Sequence, residues 1–444
     1  MKFLVCTLLT LLTMLAGFAY GQSSVHRVSP DITCSPAPCR LPNTRVTQGN
    51  RISPTAPNLA INQNNPMQMV VGEEDGSCPS GGSAYHSNDG GTTWTKACLP
   101  MLLDTLDGYS SLWMDYDNSG VVHALLGTSN ADCGENLLLE SHSTDNGATW
   151  SAVNQLSAVL FQRLDSQAID NNAGSPFTGN IYGSATLFVS RNTPLVVWRS
   201  TDGGATWRST VAATLPFTTF FDGEGYSHLA VGKDGTVYLA YMSSTDGGGM
   251  ANEIMFTKSV DGGQTWSSPV QVYSASPVRN LPNTSIYVGN SPVVAVDNSP
   301  AGKSRLYMTF YNWTGSFMQV LLTYSGDGGN SWSTPVPVAP ASAMNDQFKP
   351  FVSVSSTGSV AVTWLDRRDD PSNVNYRPYS AITKNGVFST NVPLASGSSS
   401  PLFGLSFNSS PAANAWSGST LFIVWPDTRQ TGSLQQVIGG FKQQ

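Results

Sequence analysis

Apolar residues in this chain come in short runs with polar turn residues between them. Residues 226–272 show the unit: YSHLAVGKD, an Asp-Gly turn, TVYLAYMSS, a Gly-rich loop, EIMFTKS, a tight turn, then TWSSPVQVY. Alternation of apolar and polar positions, with β-branched and aromatic residues in the runs, predicts strands; the Gly, Asp and Asn clusters predict the turns. Beyond the N-terminal leader no stretch carries the 3.6-residue period of an amphipathic helix.

The tight turn recurs. SNDGGTTW begins at Ser87, STDNGATW at Ser143, STDGGATW at Ser200, SVDGGQTW at Ser259 and SGDGGNSW at Ser325, at intervals of 56, 57, 59 and 66 residues. An interval this long is one supersecondary unit per repeat, and four antiparallel strands repeated radially make a propeller blade. The two-strand pattern recurs more often than the octapeptide. First strands are expected near Pro57, Tyr109, Asp165, Tyr226, Ser291, Gln347 and Phe403, which makes seven blades; six is the alternative if one pair is irregular. The sixth unit carries a degenerate turn, TKNGVFS, and the seventh ends after three strands at VIGGF. An open sheet edge invites aggregation, so the segment Val25–Gln48 is expected to supply the missing outer strand and close the ring.

Within each octapeptide the chemistry predicts folding roles. Asp89, Asp145, Asp202, Asp261 and Asp327 accept hydrogen bonds from turn amides. The glycine pair accommodates positive φ. Trp94, Trp150, Trp207, Trp266 and Trp332 start the outer strand and wedge between sheets.

Composition places the chain. Of 444 residues only 11% are charged, so neutral polar side chains cover the surface. A net charge of −7 argues against nucleic acid or an anionic membrane as partner. Residues 1–21 read as a signal peptide: a lysine, an apolar run from Phe3 to Ala19, and Ala19-Tyr20-Gly21 before the expected cut. A secreted chain, extracellular or periplasmic, follows, with residues 22–50 as a closing segment and 51–444 as the propeller. Export permits disulfides: Cys34 and Cys39 are close in sequence, and Cys78 and Cys98 flank the first octapeptide. No spacing suggests a metal or a cofactor. The loops SSTDGGGM and ADCGEN lack the regular carboxylates of a calcium loop.

The pattern S-x-D-x-G-x-T-W resembles the Asp-box, or bacterial neuraminidase repeat, of the sialidase superfamily, and the resemblance covers about 51–444. It implies an all-β propeller whose boxes lie away from the functional face. It also implies the parts a sialidase would need: three arginines clamping a carboxylate, a tyrosine nucleophile with a glutamate, and an aspartate acid/base. Arg51-Ile52-Ser53-Pro54 partly matches the first arginine motif, whereas Gly72-Glu73-Glu74-Asp75 lacks the arginine expected there. Gly-Tyr-Ser-x-Leu occurs at Tyr109 and Tyr226, not late in the chain, where Leu402-Phe403-Gly404-Leu405 stands. Tyr226 follows Asp222 and Glu224, and a carboxylate beside a tyrosine can act as its base. Because the octapeptide joins the third and fourth strands, the opposite face is built by the 2–3 and blade-to-blade loops. Arg367 and Arg368 in WLDRRDD, Arg429 in VWPDTR, and Glu73 fall there. Each Asp–Arg pair either braces its loop or clamps an anion. The sequence therefore leads to a monomeric, secreted, Asp-box propeller of the sialidase superfamily that binds an extracellular glycan or glycoprotein without classical sialidase activity. A sialidase-like hydrolase using Tyr226, Glu224 and Asp222, and a protein-interaction scaffold, are the alternatives.

Overall fold

The computed structural model describes residues 38–47, 58–101, 108–129, 137–156, 162–187, 192–216, 227–244, 251–276, 278, 280–284, 286, 288, 292–384, 387–401, 413–429 and 435–443. Among them, thirty strands pair into seven antiparallel sheets of four or five strands. The fourth blade is typical: Ser227–Val231, Val237–Ser243, Glu253–Ser259 and Val270–Ser274 pair in sequence order. Its second strand is buried throughout, while its outer strand is half-exposed. That gradient follows from position: a middle strand is covered on both faces by neighbouring blades, an outer one only in part.

The core lies between blades. Val70 and Ala84 of the first blade pack with Leu112, Met114 and Leu126 of the second. Leu195, Val197 and Leu215 of the third pack with Leu229, Val237 and Leu239 of the fourth. Alternate residues of one strand thus serve opposite neighbours, as the period of two requires.

The ring closes through the N-terminus, as expected. The seventh blade contributes Asn414–Ser417, Thr420–Asp427 and Gln435–Lys442. Its outer strand comes from Cys39–Arg40 and Thr44–Arg45, both antiparallel to the last strand. Asn43 Nδ2 donates to the Leu394 carbonyl (2.9 Å), tying the closing segment to the sixth blade as well. The inner strand expected from near Phe403 begins outside the described residues; its described part is Asn414–Ser417. It is the Asn414–Ser417 stretch that pairs with Thr420–Ile423, because the Gly418 turn can join only adjacent residues.

All five octapeptides fold alike. In the first, Ser87 Oγ donates to Asp89 Oδ1 (2.9 Å) and accepts from Gly91 N (2.9 Å). The Thr93 amide and hydroxyl donate to the two Asp89 oxygens (2.8 and 2.6 Å). Ser143, Ser200, Ser259 and Ser325 repeat the pattern with Asp145, Asp202, Asp261 and Asp327. Hydrogen bonds from Ser331, the hydroxyl's first, hold Asp327 near a pKa of about 2; at Asp261 burial opposes the same set of bonds and loses, leaving about 2 as well. The second octapeptide has Asn146 where the others have glycine, and it adopts the same positive φ (62°). Cys78 and Cys98 form a disulfide in the first blade. Cys39 is also disulfide-bonded, and Cys34 lies outside the described residues.

Candidate functional site

The loops joining second to third strands lie opposite the octapeptides. Two of them, in the sixth and seventh blades, open with one motif. There the second strands end in the same five-residue pattern, Trp364-x-Asp366-x-Arg368 and Trp425-x-Asp427-x-Arg429. Each Trp indole N–H donates to its Asp (2.6 and 3.0 Å). Each Asp also accepts from the backbone N–H two residues on (2.8 and 2.9 Å), an Asx turn that ends the strand. Each Arg folds back on the same carboxylate, Arg368 at 2.6 Å and Arg429 at 2.7 Å. Arg368 also stacks over the Tyr379 ring, 4.3 Å from its centroid. It also lies over the Trp364 ring (5.8 Å) and donates to Asn391 Oδ1 (3.0 Å). Arg429 instead reaches Ser396 and Asn43.

Arg367 points elsewhere. Its side chain is fully buried and paired with buried Asp346 (3.2 Å). It donates to the Pro282 carbonyl and to Thr284, so it fastens the loop between the fourth and fifth blades. Burial lowers its pKa and the Asp346 carboxylate raises it back in part. Arg367, Arg368 and Arg429 are each paired with a different aspartate. Nearby, Arg377 pairs with Asp369 (3.1 Å), which also accepts from the Tyr379 hydroxyl.

The first blade carries a variant of the same module. Asp75 accepts from the Ser77 N–H (2.9 Å), as Asp366 and Asp427 do two residues before their arginines. Lys96 supplies the cation (2.5 Å). Glu73 therefore stands where the other two blades have tryptophan. It is fully buried beside Gln436, whose side-chain amide is close enough to favour the charged carboxylate but makes no well-formed hydrogen bond to it. Burial, then the Asp75 charge, push Glu73 well above the carboxylate range, against the Gln436 amide and Lys96.

Arg51, Asp222, Glu224 and Tyr226 lie outside the described residues, as do 130–136 and 245–250. Tyr109 is buried and its hydroxyl donates to the Pro100 carbonyl. Sequence reasoning missed Asp75, Asp346, Asp369 and Arg377. The alignment of Asp75 with Asp366 and Asp427 was there to be seen in the strand-end spacing. Asp346 and Arg367 are joined only by the fold. Among the described residues no group of three His, Cys, Asp or Glu side chains is placed to hold a metal, and no helix is long and apolar enough to cross a membrane.

Among solved structures, a Hadza microbial sialidase matches with a TM-score of 0.52 at 13% identity, over 72% of this chain and 66% of that one. The fold is shared with a sialidase. The chain spans under two thirds of that sialidase's length. The NanB sialidase of Streptococcus pneumoniae (TM-score 0.47, 12% identity, 72% and 66% covered) and an alpha-L-arabinanase of Penicillium chrysogenum (0.46, 13%, 73% and 91%) also match. No family model and no curated protein matches the sequence.

Proposed function

We propose that this chain is a secreted propeller that recognises extracellular glycans through the face opposite its octapeptides, and that it does not act as a classical sialidase. One observation carries the reading. Each described arginine at that face for which an ion pair is seen is already matched by its own aspartate: Arg367 by Asp346, Arg368 by Asp366, Arg377 by Asp369 and Arg429 by Asp427. A guanidinium clamp for a sugar carboxylate needs arginines whose forks face the ligand. Here the forks face the protein, and the net field they present is small. Neutral hydrogen bonding and aromatic contact are what such a face offers a glycan.

The test is a glycan array run beside a fluorogenic sialoside assay on the purified chain. Saturable glycan binding with no turnover is the expected result. Turnover abolished by Tyr226→Phe or Arg51→Ala would overturn the non-catalytic reading and establish the hydrolase alternative.

A further inference from the structure

Three rings from alternate blades meet across the central channel. Trp113 packs edge-on to His228 (centroids 5.8 Å apart), and His228 packs edge-on to Phe351 (5.5 Å). Each lies three residues before the last paired residue of its inner strand (Tyr116, Val231 and Val354), so the three occupy one layer. This layer borders a cavity of about 310 Å³. Asp115, near the ends of the inner strands, and Asn171, Asn172 and Asn298, in or beside the 1–2 turns, line the cavity toward the octapeptide face. A single water takes about 30 Å³ of liquid, so there is room for a small molecule.

The turn asparagines brace the neighbouring blades. Asn171, Asn172 and Asn298 each donate an amide N–H to a backbone carbonyl of a neighbouring blade: Tyr116 (2.7 Å), Gly232 (3.2 Å) and Val231 (2.9 Å). Gln167 gives its Nε2 to the His123 carbonyl, and its buried Oε1 has no hydrogen-bond partner. His228 Nδ1 is likewise buried and without one. Burial holds the His228 pKa down to about 4, against a hydrogen bond to the Val294 backbone, so at neutral pH the ring is uncharged. Asp115 accepts from the Tyr116 N–H (2.9 Å). Its charged neighbours are His123, which attracts, and Asp117, which repels. No lysine or arginine lines the cavity.

A carboxylate with no lysine or arginine beside it, next to an indole, suits a positively charged N–H donor. We propose that this cavity binds a small primary ammonium compound, with Asp115 as counter-ion and Trp113 as the aromatic wall. The site is separate from the glycan-facing loops and does not depend on the reading of that face.

Ethylammonium chloride is the probe, with ethanol as its neutral counterpart and potassium chloride at matched ionic strength. Isothermal titration of the full chain should show saturable ethylammonium binding, weakened at least tenfold in Asp115→Asn. Burial pushes the Asp115 pKa up to about 6, so affinity should also fall when the pH is lowered below that value. A crystal of the unaltered chain grown with ethylammonium should show it against Trp113, which keeps the test sound if the variant unfolds. No saturable binding by the unaltered chain, equal binding of ethanol, undiminished binding by folded Asp115→Asn, or density at another place would each overturn the proposal.

Discussion

Asp115 and His228 line one cavity, and burial moves their proton equilibria in opposite directions. For Asp115 the folded chain keeps a proton, up to about pH 6, that the unfolded chain releases near 3.8. Its contribution is present at low pH and is lost as pH rises through that window. For His228 the unfolded chain takes up a proton near 6.5 while the folded chain resists until about 4. Its penalty appears as pH falls through that window. Asp115→Asn should therefore make stability fall more steeply on acidification, and His228→Gln should flatten the fall. Urea midpoints measured between about pH 4 and pH 7 will show it, and slopes that move together would contradict the assignment. The octapeptide aspartates act lower still, since Asp261 and Asp327 sit near 2.

At the scale of the element, five near-identical turns do not carry equal weight. Trp94 is fully buried, packed in the cluster that joins Met69 and Val71 of the first blade to Val424 and Ile438 of the seventh. Trp207 has the same place in its own turn and the same bond to a glycine carbonyl, yet it is only partly buried. The difference is the neighbour, not the motif. Trp94→Ala should cost about 3–5 kcal/mol, the range for a buried tryptophan, and Trp207→Ala clearly less. Chemical denaturation of the two variants decides this; equal losses would mean that the turn rather than the seam carries the energy. The Trp-x-Asp-x-Arg module behaves similarly. Its Asx turn persists in the first blade at Asp75, while glutamate replaces the indole and leaves a buried acid beside Gln436.

For the whole molecule, the seam between the last and first blades decides closure. The segment 38–47 pairs with the last strand and buries Val46, which is worth about 1.5–3 kcal/mol by itself. Deleting residues 38–47 would bare the edge of Gln435–Lys442, an eight-residue strand ready to pair with another chain. We expect a lower unfolding midpoint and concentration-dependent association, read by calorimetry and light scattering. A deletion variant as stable and as monodisperse as the full chain would show that the closing strand is dispensable.

Local chemistry was legible in the sequence because it is local. The Ser87–Trp94 turn needs only residues within eight positions to satisfy its amides, so its form and its positive-φ glycines followed from spacing. Blade count and the need for a closing strand followed from counting alternating runs, since a period of two reports a sheet wherever it occurs. Contacts between blades were not legible. Arg367 and Asp346 are 21 residues apart and meet only because two loops share a face. Trp113, His228 and Phe351 come from three blades, and nothing in their separate strands says that they share a layer. The sequence by itself determined the repeated unit, because its hydrogen bonds close within the unit. Only the tertiary structure decided which charges cancel and where a cavity holds a carboxylate with no lysine or arginine in its lining, because those depend on side chains brought together from different blades.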